Sequence, residues 1–483
     1  MYPFLPLNAR AQTLARPLTR QDLKRYLDYY ANRIREFTTD FPLYDIGNEL
    51  ADARVWHAIQ VATEGRPGAL CPLVKTLDWH PGTGQDDVMT PFISLFLGSN
   101  LTSFGLCIPV LGNHLSISTL HLVLPDLSRR LKTLDIMEVE DDAVTTYAWS
   151  LSTERHLSIG TWDKLETLRV GNFITLSEIK FISSFPHLKV LGICVRVRAF
   201  EPAYPIHSPP SWQELKRKAG KLGFPHLQEL EIWEFGQYID TIALLQQIPW
   251  GKVVSLRIRG CSKPLRTPQD INMFLQVLPL HCDPLVVEHL AIWDAHWNKE
   301  PEPADFDIDF QSISIAPILA FTQLQYLEVR VNPGIFLTPK EASQISTAFP
   351  HLRYLNIGGK SCNKTWAVRT PLIDHTHLLA IARGCKELQK LKLEFDATRL
   401  TLHDTVSTPG SIVCAPKVTH LCTGKSTLLS PSTVSAFLKN HLPRLQVFGH
   451  HHSLEGIDRV KWNVVAAGYE KEKQVDDWGS PCM

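Results

Sequence analysis

The hydrophobic positions of this chain repeat. The word Phe-Pro-His-Leu occurs at Phe185–Leu188, Phe224–Leu227 and Phe349–Leu352. Each time it opens an apolar-x-x-apolar-x-apolar spacing: Leu188/Leu191/Ile193, Leu227/Leu230/Ile232 and Leu352/Leu355/Ile357. The same spacing recurs at Val74/Leu77/Trp79, Leu101/Phe104/Leu106, Leu131/Leu134/Ile136, Leu165/Leu168/Val170, Val253/Leu256/Ile258, Val287/Leu290/Ile292, Leu324/Leu327/Val329 and Leu388/Leu391/Leu393. Two weaker copies, Val418/Leu421/Thr423 and Leu445/Phe448/His450, bring the number to thirteen. They stand about 31 residues apart on average, with gaps from 23 to 39, somewhat longer than the about 20–29 residues usual for leucine-rich repeats. Within each copy the last two apolar positions alternate with variable residues, as a strand with one buried face requires.

Stop and start signals complete the unit. Six copies carry Pro two residues before the first apolar position (Pro72, Pro186, Pro225, Pro350, Pro416 and Pro443), where it ends a preceding helix by withholding a backbone donor. Thr90-Pro91, Thr267-Pro268, Thr338-Pro339, Thr370-Pro371 and Ser430-Pro431 read as an N-cap followed by Pro at the first helical position. Thr338 with Glu341, and Thr175 with Glu178, also have the spacing of capping boxes. The unit is strand, loop, capped helix, Pro stop, next strand. Stacking it predicts an α/β leucine-rich-repeat solenoid, a horseshoe with an inner parallel sheet and outer helices in about thirteen irregular repeats. Ordinary βα units in a doubly wound sheet are the competing fold, and they give no reason for Phe-Pro-His-Leu to return.

The expected organisation is an N-terminal helical capping region over 1–70, the solenoid over 71–460 and a loose polar tail over 461–483. In the first region Leu23, Tyr26, Leu27, Tyr30, Ile34 and Phe37 fall at helical spacing behind Thr19-Arg20-Gln21-Asp22, a helix suited to covering the first strand. Two insertions interrupt the repeats: 196–221 holds four prolines and a basic run, and 294–309 is acidic. Charge runs of this kind are solvated loops or docking elements.

Composition narrows the partners. Of 483 residues 44% are hydrophobic and 20% charged, a folded composition. Lys+Arg and Asp+Glu both total 49, for a net charge of +0. No basic field argues for nucleic acid or an anionic membrane, and no apolar run is long enough to span a bilayer. Ten cysteines are scattered without a C-x-x-C pair, and no secretory signal precedes them. Reduced thiols and a cytoplasmic or nuclear location are expected.

The stretches Arg16-Pro17-Leu18-Thr19-Arg20-Gln21-Asp22 and Tyr29-Tyr30-Ala31-Asn32-Arg33-Ile34-Arg35, together with the irregular Phe-Pro-His-Leu copies, resemble fungal, mushroom-type F-box leucine-rich-repeat proteins. The resemblance implies that repeats hold a substrate while an F-box docks on the adaptor of a cullin–RING ubiquitin ligase. It places the F-box before Arg16, where this chain has only 15 residues. The chain as given is therefore expected not to bind a cullin adaptor. Two functions remain: the substrate-recognition part of an F-box-type ubiquitin ligase, and a leucine-rich-repeat scaffold or adaptor with no ligase link.

Catalytic signals are thin. Gly424-Lys425-Ser426-Thr427 ends like a phosphate-binding loop, but the glycine it needs five residues earlier is Thr419. His450-His451-His452 has no Cys or carboxylate at ligand spacing beside it, and Asp374, His375 and His377 have no partner nucleophile. We expect no enzyme, no cofactor and no metal, and a protein partner instead. On a concave strand face the residues alternating with the buried leucines point outward. From the sixth to the tenth copies these include Trp233, Arg257, Arg259, Trp293, Tyr326, Arg330 and Tyr354, of the kinds that carry interface energy. The bland reading of the same residues is mutual satisfaction, with Glu229 and Glu231 pairing Arg257 and Arg259.

Overall fold

The computed structural model describes residues 19–38, 53–79, 90–109, 122–139, 157–158, 160–173, 176–194, 223–233, 238–246, 248, 251–260, 268–294, 313–331, 335–358, 370–405, 416–424, 426–450 and 456–471. The chain forms two compact units, one of Met1–Val195 with Leu222–Leu227 and the other of Arg196–Lys221 with Gln228–Met483. Each is an α/β leucine-rich-repeat array.

In the first unit six parallel strands follow in chain order: β1 (Glu36–Thr38), β2 (Thr76–Trp79), β3 (Ser103–Pro109), β4 (Thr133–Val139), β5 (Thr167–Phe173) and β6 (Val190–Cys194). The second unit continues the rule with β7 (Glu229–Trp233), β8 (Ser255–Gly260), β9 (His289–Asp294), β10 (Tyr326–Arg330), β11 (Tyr354–Gly358), β12 (Lys390–Leu393), β13 (His420–Cys422), β14 (Val447–Gly449) and β15 (Glu470–Lys471). The strands pair in register on the repeat. Leu230, Leu256, Leu290, Leu327, Leu355, Leu391, Leu421 and Phe448 lie side by side. A slip of one residue would turn this whole ladder to the other face.

All thirteen copies are strands, and every one of their apolar positions is buried. The polar third positions of the two weak copies, Thr423 and His450, are buried as well. Helices bury the complementary stripe, as with Ile271, Phe274, Leu275 and Leu278 of the helix Pro268–His281. Sequence signals set their ends. Thr338 caps the helix Pro339–Ala348, taking the Glu341 amide at 3.2 Å while its own amide donates to Glu341 Oε2 at 3.0 Å. Ser430 caps Pro431–His441. Thr370-Pro371 does not start a helix: the cap moves to Asp374, whose carboxylate accepts from the Thr376 amide at 3.0 Å, and the helix runs His375–Gly384.

The ends depart from the sequence reading. The helix behind Thr19 spans only Arg20–Arg25, with a wider turn over Tyr26–Tyr30 and a tighter one over Ala31–Arg33. Ile34 is extended, and Phe37 sits in β1 opposite Leu77. The two residues carry the same apolar-x-x-apolar spacing as the copies, and in this window it coincides with a helical one. At the other end the helix Gly456–Ala466 buries Trp462, and β15 adds to β14, so repeat-like structure runs past 460 to Lys471. The insertion 196–221, residues 295–309, His451, His452 and Lys425 lie outside the described residues.

Among the described residues Cys71, Cys282, Cys385 and Cys422 are buried thiols outside any disulfide. No helix there is long and apolar enough to cross a membrane, and no group of three or more His, Cys, Asp or Glu side chains is placed to hold a metal.

Candidate functional site

The residues singled out in the sixth to tenth copies all lie in the second unit, on the strand phase opposite the leucine ladder. Because β7 to β11 pair in register, they fall into rows with one side chain per strand, about 4.8 Å apart. The row nearest the strand starts runs Glu229, Ser255, His289, Tyr326, Tyr354. The middle row runs Glu231, Arg257, Ala291, Glu328, Asn356. The last row runs Trp233, Arg259, Trp293, Arg330, Gly358.

Row spacing becomes contact. His289 and Tyr326 stack at 6.0 Å between centroids, and Tyr326 and Tyr354 at 4.2 Å with planes 2° apart. The Arg259 guanidinium carbon lies 4.4 Å from the centroid of the Trp293 ring, a cation–π arrangement. Arg257 Nη1 donates to Glu231 Oε1 at 2.8 Å.

The centre is Glu328, which is fully buried. Its carboxylate accepts from Tyr326 Oη at 2.5 Å and from Asn356 Nδ2 at 2.7 Å. Arg330 Nε is 2.5 Å from the same carboxylate, yet its N–H makes no hydrogen bond, so this contact is an ion pair. Burial and the Glu328 charge push both the Tyr326 and the Tyr354 hydroxyl above the ordinary phenol range. Burial works to lower the Arg330 guanidinium, but the Glu328 charge outweighs it and holds the group more firmly protonated. His289 is pushed down by burial and by Arg257.

The seven named residues are therefore brought together, with unequal access. Arg257, Arg259, Trp293, Tyr326 and Arg330 are half-buried. Trp233 and Tyr354, expected on an open face, are buried at 7% and 5% exposure. The pairing of Glu231 with Arg257 is formed. Sequence reasoning passed over Glu328 and Asn356 as centres of the network, and over Lys390 and Lys392 on β12. The alternation rule that gave Tyr326 and Arg330 marks all four; their burial and partners needed the fold.

The chemical-looking motifs resolve into structure. Gly424 takes φ +58° in a turn where Ser426 Oγ accepts from the Phe395 amide at 2.9 Å and donates to the Thr423 carbonyl. His450 Nε2 meets Asn463 Oδ1 at 3.1 Å.

No family model and no curated protein matches the chain. Among solved structures it is similar to one described as "Crystal structure of Rad7 and Elc1 complex in yeast", at 14% identity over 87% of this chain and 78% of that one, with a TM-score of 0.36.

Proposed function

We propose that this chain is a protein-binding leucine-rich-repeat array, the substrate-recognition part of an F-box-type ubiquitin-ligase subunit, acting without chemistry of its own. The partner docks on the sheet face of the second unit, at Arg257, Arg259, Trp293, Tyr326 and Arg330. The observation that carries this reading is the half-buried Arg259–Trp293 stack, whose indole N–H has no hydrogen-bond partner among the described residues. Beside it lies the buried Glu328 network, which holds Tyr326 and Arg330 in place. Aromatic and arginine side chains fixed before binding are what an interface anchor needs.

A photo-crosslinking residue at Arg259 is expected to capture a defined partner in cells, whereas one at Val464, exposed on the helix Gly456–Ala466, is not. Trp293→Ala should abolish the Arg259 crosslink with little loss of melting temperature. Equal capture from both positions would sink the reading. The ligase link is separable. A cullin adaptor that co-purifies with protein expressed from its full genomic locus supports the ligase role; a captured partner with no adaptor leaves a scaffold.

A further inference from the structure

We infer that the far end of this face, at β11 and β12, takes an acidic peptide segment of the partner. The inference rests on the protein-binding reading above and names the chemistry of what binds.

Along β7 to β10 two carboxylates on the face meet arginines: Glu231 with Arg257, and Glu328 with Arg330. β12 has cations with no such pairing. Lys390 and Lys392 stand two residues apart on one face of one strand. Their cross-strand neighbours are Tyr354 and Asn356 on one side and His420 and Cys422 on the other. None of the four is a carboxylate, and neither lysine side chain has an ion pair or hydrogen bond among the described residues. The next acid along the chain, Glu394, just past the end of β12, lies against Gly424, where an added Cβ would fall 2.5 Å from Glu394 Cγ. Lys390 is exposed, but Lys392 is at 9% exposure. The Lys392 stem is buried while its ammonium reaches solvent, so the charge is held at a fixed place on the face where an anion can join it.

Beside Lys392, the fully buried Asn356 spends its amide N–H on Glu328 and leaves Oδ1 without a partner among the described residues. Gly358, next along β11, leaves room there: a Cβ on it would meet nothing among the described residues nearer than Asn356 Oδ1, at 3.8 Å. An occupant that satisfies this corner brings an anion for the lysines and an N–H for Asn356. A peptide with Asp or Glu side chains carries both, since its backbone supplies the donor. The phosphodiester backbone of DNA supplies the anion alone.

The probe is a phage-displayed library of random peptides, selected on the full chain. Selected peptides are expected to be enriched in Asp and Glu, to bind about tenfold more weakly to Lys392→Met, and to weaken further as salt rises. Lys390→Glu, at an exposed position, should reverse the selection towards Lys and Arg while circular dichroism is unchanged. The inference is overturned by selected peptides with no acidic excess, by no selection at all, by unaltered binding in both variants, or by a single-stranded oligonucleotide binding as tightly as the peptides. If any of these occurs while the Arg259 crosslink persists, the face binds protein by other chemistry. If the crosslink also fails, the protein-binding reading fails with it.

Discussion

Removing the Glu328 carboxylate is the sharpest perturbation of the second unit. In Glu328→Ala, Arg330 at 11% side-chain exposure loses the anion that neutralises it. Tyr326 Oη and Asn356 Nδ2 lose their acceptor. Breaking a buried ion pair by deleting one partner costs about 3–5 kcal/mol. Hydrogen bonds to a charged group contribute about 1.5–3 kcal/mol each, but they share one carboxylate and do not add. The expected loss is therefore about 3–5 kcal/mol, with the larger part coming from the stranded guanidinium. Glu328→Gln keeps the volume and one acceptor oxygen and should cost about 2 kcal/mol. Adding Arg330→Met to Glu328→Gln removes the orphaned charge, so the double variant should be no less stable than Glu328→Gln alone. Urea unfolding gives the totals. Hydrogen exchange of amides in 323–358 gives the local effect, because a repeat array can open segment by segment. Glu328→Ala and Glu328→Gln both within about 0.5 kcal/mol of the native chain would show that the network holds nothing together.

Three further outcomes follow from burial and hydrogen bonding. Trp233→Ala should cost about 3–5 kcal/mol in urea unfolding, as a buried tryptophan does, whereas Trp293→Ala, half-buried, should cost clearly less; equal losses would contradict the difference in access. Glu341→Gln should cost about 1–3 kcal/mol, more than Thr338→Ala at about 1 kcal/mol. The Glu341 carboxylate accepts from Thr338 and also from Ser314 Oγ at 2.7 Å and the Ile315 amide at 3.0 Å, and the reverse order by thermal melting would refute this. Burial pushes the His281 imidazole from its ordinary 6.5 down to about 4. Below about pH 6.5 the unfolded chain takes up a proton that the folded chain refuses until about pH 4, so stability should fall by up to about 3 kcal/mol across that window. His281→Phe should flatten that fall in a pH series of melts.

The fold was legible because its determinant is local and periodic. In an apolar-x-x-apolar-x-apolar spacing the last two apolar positions share one face of a strand, and within each unit the copies stack in register on it. The errors came where two periods coincide or a cap has a rival. Ile34 and Phe37 fit a helix and a strand equally in so short a window. At Thr370-Pro371 the helix waits for Asp374, whose side chain reaches the Thr376 amide. For the site, alternation placed the right side chains on one face but could not say how deeply each would sit. Burial of Trp233 and Tyr354 depends on neighbours from other strands, some of them about 30 residues away in the chain. The same holds for Glu328, which on sequence alone is one acid among 49 Asp and Glu.

That depth bears on how the face can bind. A flexible arginine or tyrosine loses about 0.5–1.5 kcal/mol of side-chain freedom when a partner immobilises it. Here much of that loss has occurred on folding: Tyr326 is stacked on both sides, Arg330 is held by Glu328, Arg257 by Glu231, and Arg259 lies on Trp293. The ordering is stabilised by the same in-register pairing that aligns the leucines, because adjacent strands place stacking partners at the strand spacing. A substitution that shifts the register of β9 or β10 would therefore disrupt the core ladder and the binding rows together. A substitution within the rows should spare the ladder, so core and face can be altered separately only on the side-chain phase that faces away from the leucines.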